Sequence, residues 1–230
     1  MTLTLIAAGI IAPALFWIGY FYYKDRYQPE PFLYIGISYI LGFAAAYACY
    51  RSYGLLPLLG LPEDPSLIME NNRQLFLVYS LGPVGLLEEF YKLLPFFIVI
   101  RFNVFDEKID GIIYASVIAL GFASFENLHY LVYLHGFELL GRAIASPLTH
   151  TIYSSIWGYM VGRARIEKKP LWKPAILGLM IAALLHGIFD FLTTSAALRL
   201  LSTVVILAVW VWRICVIEDL HKKEYRKDKK

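Results

Sequence analysis

The chain is 230 residues long, 59% hydrophobic and only 17% charged, with a net charge of +3 and a mean hydropathy of +0.58. Soluble domains carry about a quarter charged residues, so too few polar side chains exist to cover a water-soluble globule, and lipid must solvate much of the surface. The two cysteines, Cys49 and Cys215, exclude a disulfide framework and a cysteine-based zinc site.

A spanning helix needs about 20 mostly apolar residues. Seven stretches qualify, at about 3–23, 32–50, 75–100, 111–134, 142–162, 174–195 and 198–217. The first lacks a basic n-region and runs too long for a cleaved signal peptide, so it is expected to be retained. The connection 51–74 carries Leu55-Leu-Pro-Leu-Leu-Gly-Leu-Pro62, which suits the membrane interface. The expected fold is therefore all-α, a polytopic membrane bundle of about seven transmembrane helices with a polar intramembrane cavity. Residues 1–220 would form one membrane domain and 221–230 a basic cytoplasmic tail, six of whose ten residues are Lys or Arg.

Orientation follows from the distribution of Lys and Arg. With the N-terminus outside, 15 of them fall on the cytoplasmic side and four on the other. That asymmetry predicts an N-terminus outside and a C-terminus in the cytoplasm.

Four consecutive stretches carry ionisable groups where lipid is expected: Glu88, Glu89 and Lys92; Glu126 beside Asn127; His150; and His186 with Asp190. A charge at a helix centre costs about 2.5–3.5 kcal/mol on insertion scales, so these groups are expected to face one shared cavity. Glu88 and Lys92 stand at i,i+4 and Glu89 and Lys92 at i,i+3, so the lysine reaches either carboxylate. His186 and Asp190 also stand at i,i+4. At about 1.5 Å of rise per residue, Glu88, Glu126, His150 and His186 fall in one layer between the midplane and the outer leaflet.

Such a layer holds the parts for activating water against an amide. One of two adjacent carboxylates can serve as general base while Lys92 holds the other. His150 and His186 can stabilise an oxyanion or protonate a leaving amine. Asp190 is placed to orient His186, and Glu126 with Asn127 to complete the hydrogen-bonding shell. The same acids and histidines are also zinc ligands, and no HExxH motif decides the matter. Lys92 between the carboxylates favours a metal-free centre, with zinc as the alternative. His135 in a loop and His221 in the tail are expected to be solvated.

The ordered set Glu88-Glu89-x-x-Lys92, Phe122-x-x-x-Glu126-Asn127, His150 and His186-x-x-x-Asp190 resembles the PrsW family of intramembrane proteases, bacterial relatives of the CAAX-processing and Abi membrane proteases. The loop Tyr23-Lys-Asp-Arg-Tyr-Gln-Pro-Glu-Pro31 is similar to the family's acidic, proline-bearing N-terminal signature. The resemblance implies paired catalytic glutamates at Glu88 and Glu89 and a catalytic histidine at His186. It also implies a protease in the bacterial cell membrane that makes the first, extracytoplasmic-side cut in a single-pass membrane protein such as an anti-sigma factor. The lipid bilayer is then the surrounding partner, and no nucleic-acid partner is expected. A small transporter or proton relay using the same buried groups is the alternative from another class.

Overall fold

The computed structural model describes residue 4 and residues 7–131, 136–195 and 197–227, which are helices and short connections with no strand among them. A wide, π-type turn over Ala7–Ile11 leads into α1 (Ala12–Lys24). Helix α2 is Phe32–Tyr53, and a 3-10 turn at Leu56–Leu59 and one helical turn at Ser66–Met69 fill the next connection. Then come α3 (Arg73–Tyr79), a π-type run (Ser80–Leu87) and α4 (Glu88–Val99). Helices α5 (Lys108–Tyr130), α6 (Gly136–Ile166), α7 (Trp172–Thr193) and α8 (Arg199–Lys227) complete the bundle.

Among the described residues, helix runs through most of each of the seven apolar stretches. Among the described residues, four helices are long and apolar enough to cross a membrane: α2, α5, α7 and the Arg199–Lys223 part of α8. The single helix expected over 75–100 is instead three pieces. Pro83 has no N–H to donate to the preceding turn, and Gly82 and Gly85 beside it tolerate a changed backbone, so the helix widens there. Helix α6 overruns the expected 142–162 at both ends, because a helix continues through charged residues that a hydropathy window reads as loop. His135 lies outside the described residues. His221 is only partly solvated: α8 continues past it, and its half-buried ring meets Tyr27 at 4.9 Å between centroids.

Helix α5 is the axis of the molecule. Of its apolar window 89% is buried, against 33% for α2 and α7 and 17% for α8. A helix that is apolar on every face is stable only when surrounded, and α5 buries Ile112, Ile113, Val117, Ile118 and Leu120 on successive faces.

The π-type run and α7 approach each other more closely than side chains would allow. A Cβ at Gly85 would lie 2.2 Å from the Ala183 carbonyl oxygen, and one at Gly187 would lie 2.4 Å from that of Ser80. Small residues let helix backbones come together in this way. Here they bring the start of α4 against the middle of α7. At the other end of the bundle the α1–α2 loop packs on the connection before α5. Gln28 Nε2 donates to Asp106 Oδ1 at 2.7 Å, and the Tyr34 hydroxyl donates to Asn103 Oδ1 at 2.8 Å.

Candidate active site

Four helices converge on a buried polar cluster. Helix α4 contributes Glu88, Glu89 and Lys92, α5 contributes Glu126, α6 contributes His150, and α7 contributes His186. All of these except Glu126 are buried.

Glu89 is the structural centre. Its Oε1 accepts from Lys92 Nζ at 2.8 Å and from His186 Nδ1 at 3.0 Å; its Oε2 accepts from Ser154 Oγ at 2.8 Å and Trp157 Nε1 at 2.9 Å. Four donors on two oxygens fit an ionised carboxylate. Since a carboxylate only accepts, His186 must carry its proton on Nδ1. Nε2, on the other side of the ring, lies 3.8 Å from Asp190 Oδ2.

Lys92 is shared between helices. Its Nζ lies 2.8 Å from His150 Nδ1 and 3.5 Å from Glu88 Oε2, and 4.4 Å above the Phe122 ring. An ammonium only donates, so His150 Nδ1 accepts and the ring proton sits on Nε2, which donates to Glu126 Oε2 at 2.9 Å. Arg142 closes this chain, with Nη2 3.3 Å from the same Glu126 oxygen. The His150 and His186 rings meet edge to face at 5.0 Å, and Tyr153 stacks on His186 at 5.5 Å.

Glu88 differs from its neighbour. The Tyr53 hydroxyl donates to Oε1 at 2.8 Å, whereas Oε2 is buried with no hydrogen-bond partner. Its contacts are looser: Lys92 Nζ at 3.5 Å and His150 Nδ1 at 3.9 Å. A buried carboxylate oxygen left unpaired carries a large desolvation cost, and a water or a cation is the kind of group that relieves it.

The cluster thus unites Glu88, Glu89, Lys92, Glu126, His150 and His186. Asp190 stands at its rim, with more than a third of its side chain exposed. It is Glu89, through Nδ1, that is hydrogen-bonded to His186. Asn127 points elsewhere: its amide donates to the Gly9 carbonyl at 3.3 Å and ties the first turn to α5.

Residues 30–216 match the profile of the PrsW family, described as intramembrane metalloproteases. The chain belongs to the PrsW family. It is 34% identical over 194 residues to Protease PrsW of Bacillus subtilis, covering 83% of each chain. It is 32% identical over 212 residues to Protease PrsW of Oceanobacillus iheyensis, covering 91% of this chain and 92% of that one. With Protease PrsW of Clostridioides difficile it shares 28% over 224 residues, 93% and 88% of the two chains. No solved structure matches. The family replaces the transporter alternative with a membrane protease.

Zinc fits the donor set. Glu88, His150 and His186 each offer one ligand atom, and these lie within 4.8 Å of one another. Glu88 Oε2 accepts no hydrogen bond, His186 Nε2 lies opposite the nitrogen bound to Glu89, and a carboxylate behind a histidine, as Glu89 is behind His186, orients a metal-binding imidazole in many sites. His150 Nδ1 is engaged by Lys92, so an ion there would take the place of the ammonium.

Sequence reasoning overlooked Tyr53, Arg142, Ser154 and Trp157. A spacing signal existed for three of them, since 142, 150, 154 and 157 fall on one face of a helix. Tyr53 ends α2, and nothing local marks it.

Proposed function

We propose that this chain is an intramembrane endopeptidase in which Glu88 acts as general base on the hydrolytic water. The observation that carries this reading is the buried Glu88 Oε2, which accepts no hydrogen bond, beside a fully satisfied Glu89. Glu88 removes a proton from water as its oxygen adds to the scissile carbonyl, and returns that proton to the departing amine nitrogen. His186, with Glu89 on one nitrogen and Asp190 near the other, can be protonated on both and donate Nε2–H to the oxyanion. Lys92 holds Glu89 and His150 in place, and Glu126 holds His150. Glu88, Glu89, His150 and His186 are thus the reactive core, supported by Lys92, Glu126 and Asp190.

The Glu88–His150–His186 donor set favours a second reading. There zinc bound by these three residues would supply Lewis acidity and an acidified water.

The seven helical runs and the distribution of basic residues support seven crossings in the bacterial cell membrane, with the N-terminus outside and the basic end of the chain in the cytoplasm. In that topology residues 1–220 are the protease domain and 221–230 the tail. The site then lies nearer the outer surface. A single-pass protein cut near the outer end of its helix, such as an anti-sigma factor, suits this depth, because the amides there are least costly to expose.

The test is cleavage of a co-expressed single-pass membrane protein by the wild type and by Glu88→Gln at equal accumulation, with fragment termini mapped by mass spectrometry. Equal cleavage by the two rejects the assignment of the base. A cut on the cytoplasmic side rejects the topology. Purified protein stripped with a chelator separates the two chemistries: retained activity selects the glutamate, and loss restored by zinc selects the metal.

A further inference from the structure

The buried cluster has borders of two kinds. One is polar, made by Asp190, Arg142 and Glu126, whose side chains are 37%, 28% and 20% exposed. The other is Tyr53, whose hydroxyl lies 2.8 Å from Glu88 Oε1 and 3.3 Å from the Pro83 carbonyl oxygen. Pro83 in turn lines a groove of about 460 Å³. The lining, which includes Leu56 and Leu59 of the α2–α3 connection and Gly82, Leu87 and Phe90 of the run into α4, is apolar throughout. Leu56 and Pro83 are buried, whereas Leu59 and Phe90 are exposed, so the groove opens at the surface.

Hydrolysis inside a membrane needs an approach for water and an approach for the peptide. The polar border suits water. The groove suits the peptide, because it begins where the reacting carboxylate ends: Leu87 precedes Glu88 in the chain, and Pro83 shares the Tyr53 hydroxyl with it. No lining side chain carries a donor or an acceptor. Unwound substrate backbone, which needs such partners in lipid, is therefore not held there, and a charged or amide side chain would be left unpaired. An aliphatic or aromatic side chain fits. Lipid already solvates such a side chain, so the groove selects by shape and close contact rather than by removing it from water. An acyl chain finds apolar surface almost anywhere on this protein, whereas a side chain next to the scissile bond is confined to the neighbourhood of Glu88.

We propose that this groove is the specificity pocket of the protease and takes a large apolar side chain from a substrate residue flanking the scissile bond. The inference rests on Glu88 as the reacting carboxylate. It gives the α2–α3 connection a task, since Leu56 and Leu59 reach the groove from its 3-10 turn. It also makes Gly82 a residue that sets the size of what is accepted. A Cβ at Gly82 meets nothing within 4 Å, so the backbone does not require glycine there for lack of space. The missing side chain is room kept for the substrate.

The test uses the full-length protein and a co-expressed single-pass membrane protein whose cleaved bond has been mapped. The residues on either side of that bond are replaced in turn by Gly, Leu and Phe. Gly82→Phe fills the groove from the π-type run. Leu59→Trp narrows it from the α2–α3 connection, at a side chain 76% exposed on which folding does not depend. Both variants should cut the Leu and Phe substrates at least about tenfold more slowly than the wild type. The Gly substrate should be cut at the wild-type rate, with unchanged accumulation and Tm. Should Gly82→Phe fail to accumulate, Leu59→Trp decides alone. An unchanged size preference in the groove variants, with Glu88→Gln inactive on every substrate, overturns the pocket and leaves the base in place. An equal loss on all three substrates assigns the groove to an acyl chain or to packing and overturns it as well. Wild-type cleavage by Glu88→Gln removes the reading of the base, and this inference with it.

Discussion

Glu88 and Glu89 are consecutive in the chain yet end in opposite states: Glu89 accepts four hydrogen bonds, whereas Glu88 accepts one, from Tyr53, and its other oxygen has only the looser contact with Lys92 at 3.5 Å. Adjacent residues on a helix point about 100° apart. Glu89 therefore turns into the seam between α6 and α7, where donors crowd, and Glu88 turns towards the end of α2. The pair divides its labour by direction alone.

Substituting each carboxylate should therefore give different phenotypes. Glu88→Gln should lower cleavage at least about a hundredfold, the usual contribution of a general base, with normal membrane accumulation and an unchanged melting temperature. Glu89→Gln should also lose activity, but with a loss of stability of about 3 kcal/mol, because Lys92 loses the nearer of its two buried counter-charges and keeps only the looser contact with Glu88. Quantitative immunoblotting and thermal unfolding in detergent read the difference.

Ser154→Ala and Trp157→Phe each remove one donor from Glu89 Oε2. Each should cost about 1–3 kcal/mol of stability, the penalty for a buried acceptor deprived of its partner. Cleavage by both variants should fall by less than in Glu88→Gln, since the base itself is untouched. Melting temperatures paired with cleavage rates check this order.

Gly187→Ala should separate α7 from the π-type run, because its Cβ would meet the Ser80 carbonyl. His186 would then move away from Glu89, and activity should fall more than about tenfold for a displacement near 1 Å. Gly36→Ala is the control: a Cβ there meets nothing within 4 Å. Side-by-side cleavage assays at matched expression decide the comparison.

Reporter fusions after Arg51 and after Lys173 should read opposite sides of the membrane, outside and cytoplasmic in that order. Two fusions reporting the same side would remove the seven-crossing topology, and the outer-leaflet depth of the site with it.

Much of this was legible in the sequence. The seven apolar stretches located the helical runs, and the cost of a charge in lipid was enough to gather Glu88, Glu89, Lys92, Glu126, His150 and His186 into one cluster. What sequence spacing could not supply was direction across helices. It placed Asp190 on His186 because the two are four residues apart; Asp190 stands 3.8 Å from Nε2, whereas the hydrogen bond of His186 is donated to Glu89, 97 residues away. It grouped Asn127 with Glu126 as neighbours, although adjacent helical residues diverge, and Asn127 serves Gly9. Arg142, the first residue of the expected 142–162 stretch, is the end member of the Glu126–His150 chain.

The wide turns of Ser80–Leu87 have a consequence for how this chain tolerates change in length. Each π-type turn takes in roughly one residue more than an α-helical turn. The angular setting of α4 is thereby uncoupled from that of α3, whose Phe76 and Tyr79 must face their own apolar neighbours. The run works as a phase adjuster between two packing demands. Deleting one residue from it would rotate the following helix as a key turns in a lock, presenting a different side chain at every buried position from Glu88 to Val99. An insertion in a surface loop alters only reach. A single residue lost here would exchange the buried face that carries Glu88, Glu89 and Lys92 for another while leaving the composition of the helix untouched.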